Sequence, residues 1–531
     1  MPNEGELIAQ RQAKRERLLA LGGGYPARTS RTHHCADAVA AFEAAEVPSE
    51  AEQRLEGAGG SPEPAPPQEL RATVCGRITA QRVLGKAAFL DVRDGSDRLQ
   101  LHLRRDVLPE EQFALLELLD LGDFVEAEGA LFRTRTGEVT LAVERWQILV
   151  KALRPLPEKR AGLTDPETRY RQRHLDLVAN ERSREVARLS AATVAAVRRF
   201  FEGRGFLEVT TPVLQEQAGG AAARPFRTHH NALDRDLFLR ISLELHLKRL
   251  LVGGFDRVYE IGRVFRNEGV SHRHNPEFLL LESYEAYADY EDVARMVEEL
   301  VRGVAQDVRG TQQLAHGDHV IDLESPWART TYREALREHA GIDYRDYPDR
   351  DSLAQVAADR GVPVETGASW ATVLDGLMQR LVEPKLVQPT FVFDYPTALS
   401  PLAKAREDDP ELVERFELFI LGYELANAYS ELNDPVEQRV RMADQSRKRD
   451  AGDEEAELAD EGFLEALEAG MPPAGGLGIG LERLMMLMTG EHSIREVVLF
   501  PALRDRDARA ADGAATEGET PSDRPSSLDV P

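Results

Sequence analysis

The chain has 531 residues, a formal net charge of −26 at pH 7 and a sequence pI near 5.1. No apolar run reaches the roughly 20 residues that a membrane-spanning helix needs. The polar amino terminus does not have the pattern of a signal peptide, so we expect a cytoplasmic protein without membrane contact. Net acidity does not exclude nucleic acid, because local basic patches govern that binding. Two cysteines in no metal-binding spacing, Cys35 and Cys75, suit a reducing compartment.

Residues 1–70 are predicted to form a basic helix followed by a linker. The helix is expected from about Glu6 to Leu21, and Gly22-Gly23-Gly24 would end it. Residues 46–68 are rich in Ala, Glu, Gly and Pro, which is typical of a loose connection.

Residues 71–153 contain several short β-forming runs, such as Val74-Cys75-Gly76-Arg77-Ile78 and Ala88-Phe89-Leu90-Asp91-Val92. One helical stretch is expected among them, at residues 109–121. Short strands with a single internal helix are typical of the five-stranded OB barrel, which binds single-stranded nucleic acid by stacking bases on aromatic rings. We therefore predict an OB-fold domain here.

A second domain is predicted at residues 154–504, after the stiff segment Arg154-Pro155-Leu156-Pro157. Its most informative stretch is Phe265-Arg266-Asn267-Glu268, which lies between two runs of β-formers at residues 255–265 and 277–287. These runs predict a long antiparallel hairpin. Its loop ends in Arg273-His274-Asn275, and helical patterns at about residues 301–384 predict a small insertion further along.

The hairpin carries the parts of an ATP site that needs no glycine-rich loop. Arg266 suits a phosphate oxygen and Glu268 a base edge. Because side chains alternate between the faces of a strand, Phe278, Glu282 and Tyr284 share one face. That face presents a ring of adenine size and, two steps along, a negative charge.

A second hairpin is predicted around a turn at Leu421-Gly422, which would place Glu417 and Glu424 diagonally on one face. Two carboxylates so close favour a bound cation, and Mg²⁺ is usually held by one or two carboxylates plus phosphate oxygens. Further along the strand, Asn427, Tyr429 and Glu431 share a face, but Glu424 has the other parity. We therefore predict a β-bulge near Leu425-Ala426.

Two further features are negative. The glycines at 476, 478 and 480 suggest a dinucleotide site, but Arg483 stands where the pattern requires its third glycine. Residues 505–531 contain almost no large apolar side chain, so we expect a disordered tail.

Three motifs together resemble the class II aminoacyl-tRNA synthetases. Phe265-Arg266-Asn267-Glu268 is similar to the second signature of that family, Gly205-Phe206-Leu207-Glu208-Val209-Thr210-Thr211-Pro212 to the first, and Gly478-Ile479-Gly480-Leu481-Glu482-Arg483-Leu484 to the third. Within the class, the stretches at residues 219–226, 229–233 and 287–290 resemble the bacterial lysyl subgroup. The resemblance covers nearly the whole chain. It implies an α+β protein: an OB-fold barrel followed by a catalytic domain built on an antiparallel sheet flanked by helices.

The resemblance also implies partners and roles. The partners would be tRNA(Lys), ATP, L-lysine, Mg²⁺ and a second copy of the chain, in contact through the first motif. Arg266 and Arg483 would be catalytic, on the α- and γ-phosphates. The ATP site would comprise Arg266, Glu268, Arg273, His274, Asn275, Phe278, Glu417, Glu424, Gly480 and Arg483, with Glu417 and Glu424 as metal ligands. The lysine site would comprise Gly220, Glu244, Glu282, Tyr284, Asn427, Tyr429 and Glu431, and the anticodon site Arg77, Phe89 and Gln100.

Several alternatives remain at this stage. The basic face of the first helix either contacts tRNA or is merely solvated, and Phe89 either stacks on a base or is a core ring. The family often has glycine at the position of Ala428, so we expect less space beside Asn427. An acidic pocket favours lysine over aspartate as substrate. The rival functions are a lysine ligase that modifies an elongation factor, which lacks the OB-fold segment, and a non-catalytic tRNA-binding protein, which would not need both phosphate arginines.

Overall fold

The computed structural model describes residues 3–46, 70–157, 163–365, 367–400, 402–450 and 459–504, and the chain divides into two compact units, Met1–Thr164 and Asp165–Pro531. The linker expected at residues 46–68 lies outside these ranges except for Glu46, and the tail expected at residues 505–531 lies wholly outside them. Within the described ranges, no helix combines the length and apolar character needed to cross a membrane.

The first unit contains a closed barrel of five strands in the order β1-β2-β3-β5-β4. Neighbouring strands are antiparallel, except that β3 and β5 run parallel. The expected helix is shorter than predicted, because the segment continues as a 3₁₀ turn at Leu115–Leu118. The elements are α1 (Glu4–Ala20), α2 (Cys35–Glu46), β1 (Arg71–Leu84), β2 (Ala87–Arg93), β3 (Arg98–Arg104), α3 (Glu110–Ala114), β4 (Phe124–Arg133) and β5 (Val139–Val150).

The basic residues of α1 do not all have the roles expected from the sequence. Arg11 is buried and donates to the backbone carbonyls of Ala152 and Arg154, both at 2.9 Å. Lys14 donates to Asp120 at 2.8 Å. These two side chains therefore attach α1 to the rest of its own unit, and are neither merely solvated nor presented to a ligand.

The second unit is built on an eight-stranded sheet in the order β14-β15-β16-β17-β18-β11-β10-β6, antiparallel except for the outer pairs β14/β15 and β6/β10. Smaller sheets have the orders β7-β9-β8 and β12-β13. The strands are β6 (Leu207–Glu208), β7 (Leu214–Gln215), β8 (Arg227–His230), β9 (Arg235–Leu239), β10 (Arg257–Phe265), β11 (Glu277–Ala286), β12 (Gln313–His316), β13 (His319–Asp322), β14 (Ala328–Thr331), β15 (Thr390–Pro396), β16 (Leu412–Ile420), β17 (Tyr423–Ser430) and β18 (Ala474–Gly480).

Helices cover the sheet unequally. One face packs on amphipathic helices through residues such as Phe201, Leu300 and Leu484. The other face packs on the helices Glu244–Val252 and Glu461–Glu468, through Leu247 and Phe463. The helices are α4 (Pro166–Arg171), α5 (Arg173–Ala179), α6 (Glu181–Gly203), α7 (Glu244–Val252), α8 (Tyr290–Arg309), α9 (Tyr332–Ala340), α10 (Arg350–Asp359), α11 (Trp370–Leu381), α12 (Pro435–Asp450), α13 (Glu461–Glu468), α14 (Leu481–Thr489) and α15 (Ile494–Val497), with 3₁₀ turns at Tyr344–Asp346, Glu383–Lys385 and Thr397–Leu399. The α+β class and the antiparallel sheet are as predicted.

The segment predicted as a helical insertion, residues 301–384, is only partly of that kind. Helices α9 to α11 form a cluster of their own. However, Val301 lies inside α8 and is fully buried in the main core, and β14 is an edge strand of the main sheet. The sequence pattern predicted helices in this segment, but it did not show that Ala328–Thr331, just before α9, forms an edge strand of the main sheet.

Candidate active site

The first hairpin forms as predicted from β10 and β11, which pair in unbroken register from Arg257 opposite Glu285 to Phe265 opposite Glu277. The two faces of β11 separate cleanly. Leu279 and Leu281 pack into the core under the long helices, whereas Phe278, Leu280 and Tyr284 pack on the side of α7. Glu282 therefore lies on the same side as Phe278 and Tyr284, and it is 5% exposed.

Arg266 interacts electrostatically with carboxylates of both hairpins. Its guanidinium carbon is 5.2 Å from the centroid of the Phe278 ring, and its Nε donates to the Ile241 carbonyl at 3.4 Å. Burial lowers the pKa of Arg266, and the negative charges of Glu268, Glu424 and Glu282 oppose that effect. The forked guanidinium thus lies within electrostatic reach of carboxylates from both hairpins.

The loop after Arg266 places its polar residues differently. Glu268, Arg273 and His274 are exposed, and the pKa of His274 is lowered by partial burial and by the nearby charge of Arg483. Asn275 is buried: its amide nitrogen donates to the Glu277 carbonyl at 2.6 Å, and its amide oxygen accepts from the backbone of Ala502 at 3.1 Å. Asn275 thus joins this loop to the segment after α15, which leaves one amide hydrogen and one lone pair of the amide oxygen for a contact with ATP.

The second hairpin, β16 and β17, confirms both local predictions. Leu421 and Gly422 have φ values of 58° and 73°, which makes a tight turn between Ile420 and Tyr423. The register then shifts: Leu418 pairs with Ala426 and Phe419 pairs with Glu424, so that Leu425 is the extra residue of a bulge. The bulge places Glu424 on the same face as Glu417 and Asn427.

Glu417 and Glu424 each lie beside a basic side chain. Glu417 accepts from Tyr395 at 2.8 Å and pairs with the Arg415 guanidinium. Glu424 is 3.4 Å from Arg483, which also donates to the Glu424 backbone carbonyl. Burial raises the pKa of Glu417, and the charge of Glu424 adds to the effect. Two mutually repelling carboxylates, one of them desolvated, favour a cation between them.

Asn427 faces Glu417 across the ladder, and its amide oxygen accepts from Arg415 Nε at 3.1 Å. The prediction that Ala428 narrows the space beside Asn427 is wrong. Ala428 pairs with Phe416 and is buried in the core on the opposite face of the sheet. Its methyl group therefore points away from Asn427, because neighbouring residues of a strand face opposite sides.

Three buried carboxylates lie together between α7, β11 and the end of β17. Glu282 accepts hydrogen bonds from Ser242 at 2.7 Å, from the backbone of Leu243 at 3.0 Å and from the Tyr284 hydroxyl at 3.0 Å. Burial and the neighbouring charge of Glu244 raise the pKa of Glu282 to about 7.

Glu244 and Glu431 are each at most 2% exposed, and both pair with the fully buried ammonium of Lys248. Glu244 also accepts from the Tyr429 hydroxyl at 2.9 Å. Glu431 differs, since among the described residues neither of its oxygens accepts a hydrogen bond of good geometry, although one is in ion contact with Lys248. Burial raises the pKa of Glu431.

Glycines shape two walls of this carboxylate pocket. Gly220 has a φ of 83°, and a Cβ there would lie 3.0 Å from both Glu244 Cβ and Ser242 Oγ. A Cβ on Gly476 would lie 1.8 Å from Glu431 Oε1. Gly480 is the N-cap residue of α14, three positions before Arg483. A Cβ on Gly480 would contact only the Arg483 side chain, at 3.8 Å.

The predicted anticodon residues lie on strands of the barrel in the first unit, with Phe89 and Arg77 half-buried and Gln100 buried. Phe89 is outside the hydrophobic core and stacks on His102, with ring centroids 4.5 Å apart and 5° between planes. Phe132 lies on the other side of His102, at 6.0 Å. Gln100 is largely buried and accepts from Thr140 at 3.1 Å, and the Arg77 guanidinium lies 4.3 Å from the Phe124 ring.

Sequence reasoning missed several residues of these sites. Arg415 precedes Glu417 by two residues on a strand, so the two side chains share one face. Lys248 follows Glu244 by one helical turn, which also brings the two side chains together. The spacing alone could therefore have suggested Arg415 and Lys248 as site residues. His102 pairs directly with Phe89 across two strands. Tyr395 and Gly476 carry no such local signal, because their partners are distant in sequence.

Comparisons with known proteins agree with this arrangement. Residues 165–504 match the family model of the class II tRNA synthetases for D, K and N, and residues 72–149 match that of the OB-fold nucleic acid binding domain. A lysine–tRNA ligase of Dehalococcoides mccartyi is 50% identical over 509 residues, covering 96% of this chain and 99% of the relative. Those of Pelotomaculum thermopropionicum and Listeria monocytogenes are 51% and 49% identical, each over 82% of this chain and over 86% and 88% of the relative.

Proposed function

The chain belongs to the lysine–tRNA ligases among the class II tRNA synthetases and lysylates tRNA in an ATP-dependent reaction, and we propose that it does so through a lysyl-adenylate formed beside Arg266. The lysine carboxylate attacks the α-phosphorus of ATP and expels pyrophosphate, and a tRNA hydroxyl then attacks the adenylate and releases AMP. The attacking carboxylate is already ionised, so the first step needs alignment and charge neutralisation rather than a general base.

Arg266 would hold the α-phosphate and Arg483 the γ-phosphate. The electrostatic interaction of Arg266 with both Glu282 and Glu424 supports this role, because the α-phosphorus must lie near both the lysine pocket and the pyrophosphate site. Phe278 would stack on adenine, and Glu268 would accept from its amino group. Arg273, His274, Asn275 and Gly480 would complete the ATP site.

Mg²⁺ would be held by Glu417 and Glu424. The donor set fits, because Mg²⁺ commonly takes one or two carboxylates and completes its shell with phosphate oxygens and water. When bound, the ion would neutralise the charge that develops on the leaving pyrophosphate. Arg415 and Tyr395, which contact Glu417, would orient that carboxylate for the ion.

The lysine pocket would be formed by Gly220, Glu244, Glu282, Tyr284, Asn427, Tyr429 and Glu431. The observation that carries this proposal is Glu431, a carboxylate that is 1% exposed and has the Lys248 ammonium on one oxygen. Its other oxygen, Oε1, accepts no hydrogen bond from the described residues. A buried carboxylate oxygen without a donor is costly, and a ligand ammonium would supply one. Glu282 and Glu431 would bind the side-chain ammonium, and Glu244 the α-ammonium.

The barrel would read the anticodon of tRNA(Lys) with Phe89, Gln100 and Arg77, and the stacked pair of Phe89 and His102 supports an aromatic platform there. We assign residues 71–153 to this domain and residues 154–504 to catalysis. A homodimer through the first motif and a cytoplasmic location stay predictions. Of the rival functions, the elongation-factor ligase lacks a barrel segment such as this chain has, and the curated relatives named above are lysine–tRNA ligases.

The test is pyrophosphate exchange into ATP across a panel of amino acids, with and without tRNA. Lysine alone should support rapid exchange, because only a substrate with a side-chain ammonium satisfies Glu431. Comparable exchange with aspartate or asparagine would refute the pocket assignment, and exchange without transfer to tRNA would refute the assignment of the barrel.

A further inference from the structure

The carboxylate pocket holds a lysine of its own. Lys248 lies on α7 one turn after Glu244, and its side chain is completely buried. Its ammonium pairs with Glu244 and with Glu431, and it lies 5.8 Å from the centroid of the Tyr429 ring and 5.9 Å from that of Phe463. A buried ammonium is tolerated only with such partners.

The charge of Lys248 is secured by its surroundings. Burial by itself would lower the pKa of this ammonium, but the carboxylates of Glu244 and Glu431 outweigh burial and raise it. Glu282 and the hydroxyls of Tyr284 and Tyr429 face the same pocket from β11 and β17. Lys248 therefore remains charged at every pH at which the enzyme works.

The count of charges in the pocket favours a substrate with two ammonium groups. Glu244, Glu282 and Glu431 supply three carboxylates, and Lys248 supplies one ammonium. Free lysine brings an α-ammonium and a side-chain ammonium, and its carboxylate would be directed at the α-phosphate beside Arg266. Three ammonium groups then face the three carboxylates of the pocket, whereas an amino acid with an uncharged side chain would leave one of these carboxylates unpaired.

The position of Glu431 is constrained from two sides. Lys248 contacts one oxygen, and the other lies where a Cβ of residue 476 would stand, 1.8 Å away. Gly476 pairs with Tyr284 on one neighbouring strand and with Tyr429 on the other. The carboxylate therefore occupies a slot that a bare glycine leaves between two tyrosines.

We propose that Lys248 is a positioning residue, a resident counter-ion that fixes the Glu244 and Glu431 side chains in place by contacting both, so that the two ammonium groups of lysine complete the pocket. This inference rests on the lysine site proposed above. It assigns to Lys248 no contact with the reacting atoms. Its effect on catalysis passes through the two carboxylates.

The experiment compares Lys248→Gln, which keeps hydrogen-bond donors but loses the charge, with Lys248→Arg, which keeps the charge. Pyrophosphate exchange gives the KM for lysine and for ATP at a series of pH values, and melting curves report folding. The glutamine variant should raise the KM for lysine about 30-fold or more, since a buried ion pair loses one partner. The KM for ATP should change less than about twofold, and the arginine variant should recover part of the loss.

The pH profile separates positioning from a merely structural role. In the glutamine variant, the pH below which lysine affinity falls should rise by about one unit or more, because Glu431 loses the nearby cation that lowers its pKa. In the arginine variant, the pH below which lysine affinity falls should stay as in wild type. Arg249→Met is the matched control, because it removes a charge from the same helix that pairs with Asp460 at 3.0 Å outside the pocket.

The possible outcomes are distinguishable. If wild-type enzyme shows no lysine-dependent exchange, the proposed function fails. If wild type is active and Lys248→Gln keeps its lysine KM and pH profile, or loses lysine and ATP affinity equally, the role of Lys248 is refuted. Should the glutamine variant not fold, the arginine variant decides: an unchanged pH profile with ATP affinity intact supports the role, and a displaced profile overturns it.

Discussion

Glu431 and Glu282 are both buried carboxylates, yet they differ in what surrounds them. Glu282 accepts three hydrogen bonds from Ser242, Leu243 and Tyr284, whereas Glu431 has only its ion contact with Lys248. A carboxylate with both oxygens satisfied can remain buried without a ligand, but one with an oxygen that lacks a donor, as in Glu431, is stabilised when a cation arrives. The two residues should therefore respond differently to substitution and to pH.

The first prediction concerns Glu431→Gln. The neutral amide cannot balance the substrate ammonium, so lysine binding should weaken by about 2 to 5 kcal/mol, as in other buried charge pairs that lose one partner. The KM for ATP should barely change, and an equal loss for ATP would remove Glu431 from the lysine pocket. Glu285→Gln is the control, since it neutralises a carboxylate on β11 that pairs with Arg257 away from the pocket.

The second prediction concerns pH. Burial and Glu244 raise the pKa of Glu282 from an ordinary 4.5 to about 7, so the folded protein holds a proton there that the unfolded chain has already lost. The contribution of Glu282 to folding stability should therefore fall as pH rises from about 4.5 to 7. Lysine binds the ionised form and should release protons, so its affinity should increase between about pH 6 and 8.

Melting curves with and without lysine across that range check the pH prediction. The stabilisation by lysine should grow with pH, and Glu282→Gln should weaken the dependence because it removes one of the two pocket carboxylates whose pKa is raised, the other being Glu431. A stabilisation by lysine that is constant in wild type from about pH 6 to 8 would contradict the assignment.

The two hairpins show which features follow from sequence and which do not. The turn at Leu421 and Gly422 and the bulge at Leu425 were predictable, since both follow from local residue type and from counting alternate positions. The same counting of alternate positions predicted that Phe278, Glu282 and Tyr284 share one face of β11, which the structure confirms. The partner of Asn275, Ala502, lies 227 residues away, so no local pattern announces that hydrogen bond. The core position of Ala428 needed only strand parity, which makes the wrong expectation there avoidable.

The third prediction tests the turn between β16 and β17. Gly422 has a φ of 73°, and a Cβ there would lie 3.1 Å from Pro384 Cα, so that Gly422→Ala incurs both backbone strain and a clash. Gly310, at the end of α8, has a φ of 68° but no atom within 4 Å. Gly310→Ala should therefore cost only the conformational part, about 1 kcal/mol.

Gly422→Ala should cost more than that control and should also raise the Mg²⁺ concentration needed for exchange, because the turn sets the spacing of Glu417 and Glu424. Chemical denaturation and a Mg²⁺ titration measure the two effects. Equal destabilisation of both variants would mean that the contact with Pro384 relaxes at no cost.

The net charge of −26 does not describe the surface that would meet tRNA. On the barrel, Arg82 of β1 is exposed and lies opposite Phe89 of β2 in the strand ladder. Arg104 follows His102 by two residues on β3, so these two side chains share one face. The acidic residues of the proposed lysine pocket, by contrast, are buried in the other unit. An acidic protein can therefore present a basic aromatic surface to RNA, since the local field decides the contact.

The last prediction separates the two units. Phe89→Ala removes a stacking platform worth roughly 1 to 3 kcal/mol per base in such barrels, so charging of tRNA should fall by about one to two orders of magnitude at subsaturating tRNA. Adenylate formation should be unchanged, because every ATP and lysine contact proposed above belongs to the second unit. Parallel aminoacylation and exchange assays measure the two activities, and melting curves report folding. Val83→Ala, which trims an exposed side chain of β1, should change neither activity. A joint loss of both activities and of melting temperature would make Phe89 a structural ring, and a loss of neither would place the anticodon contact elsewhere on the barrel.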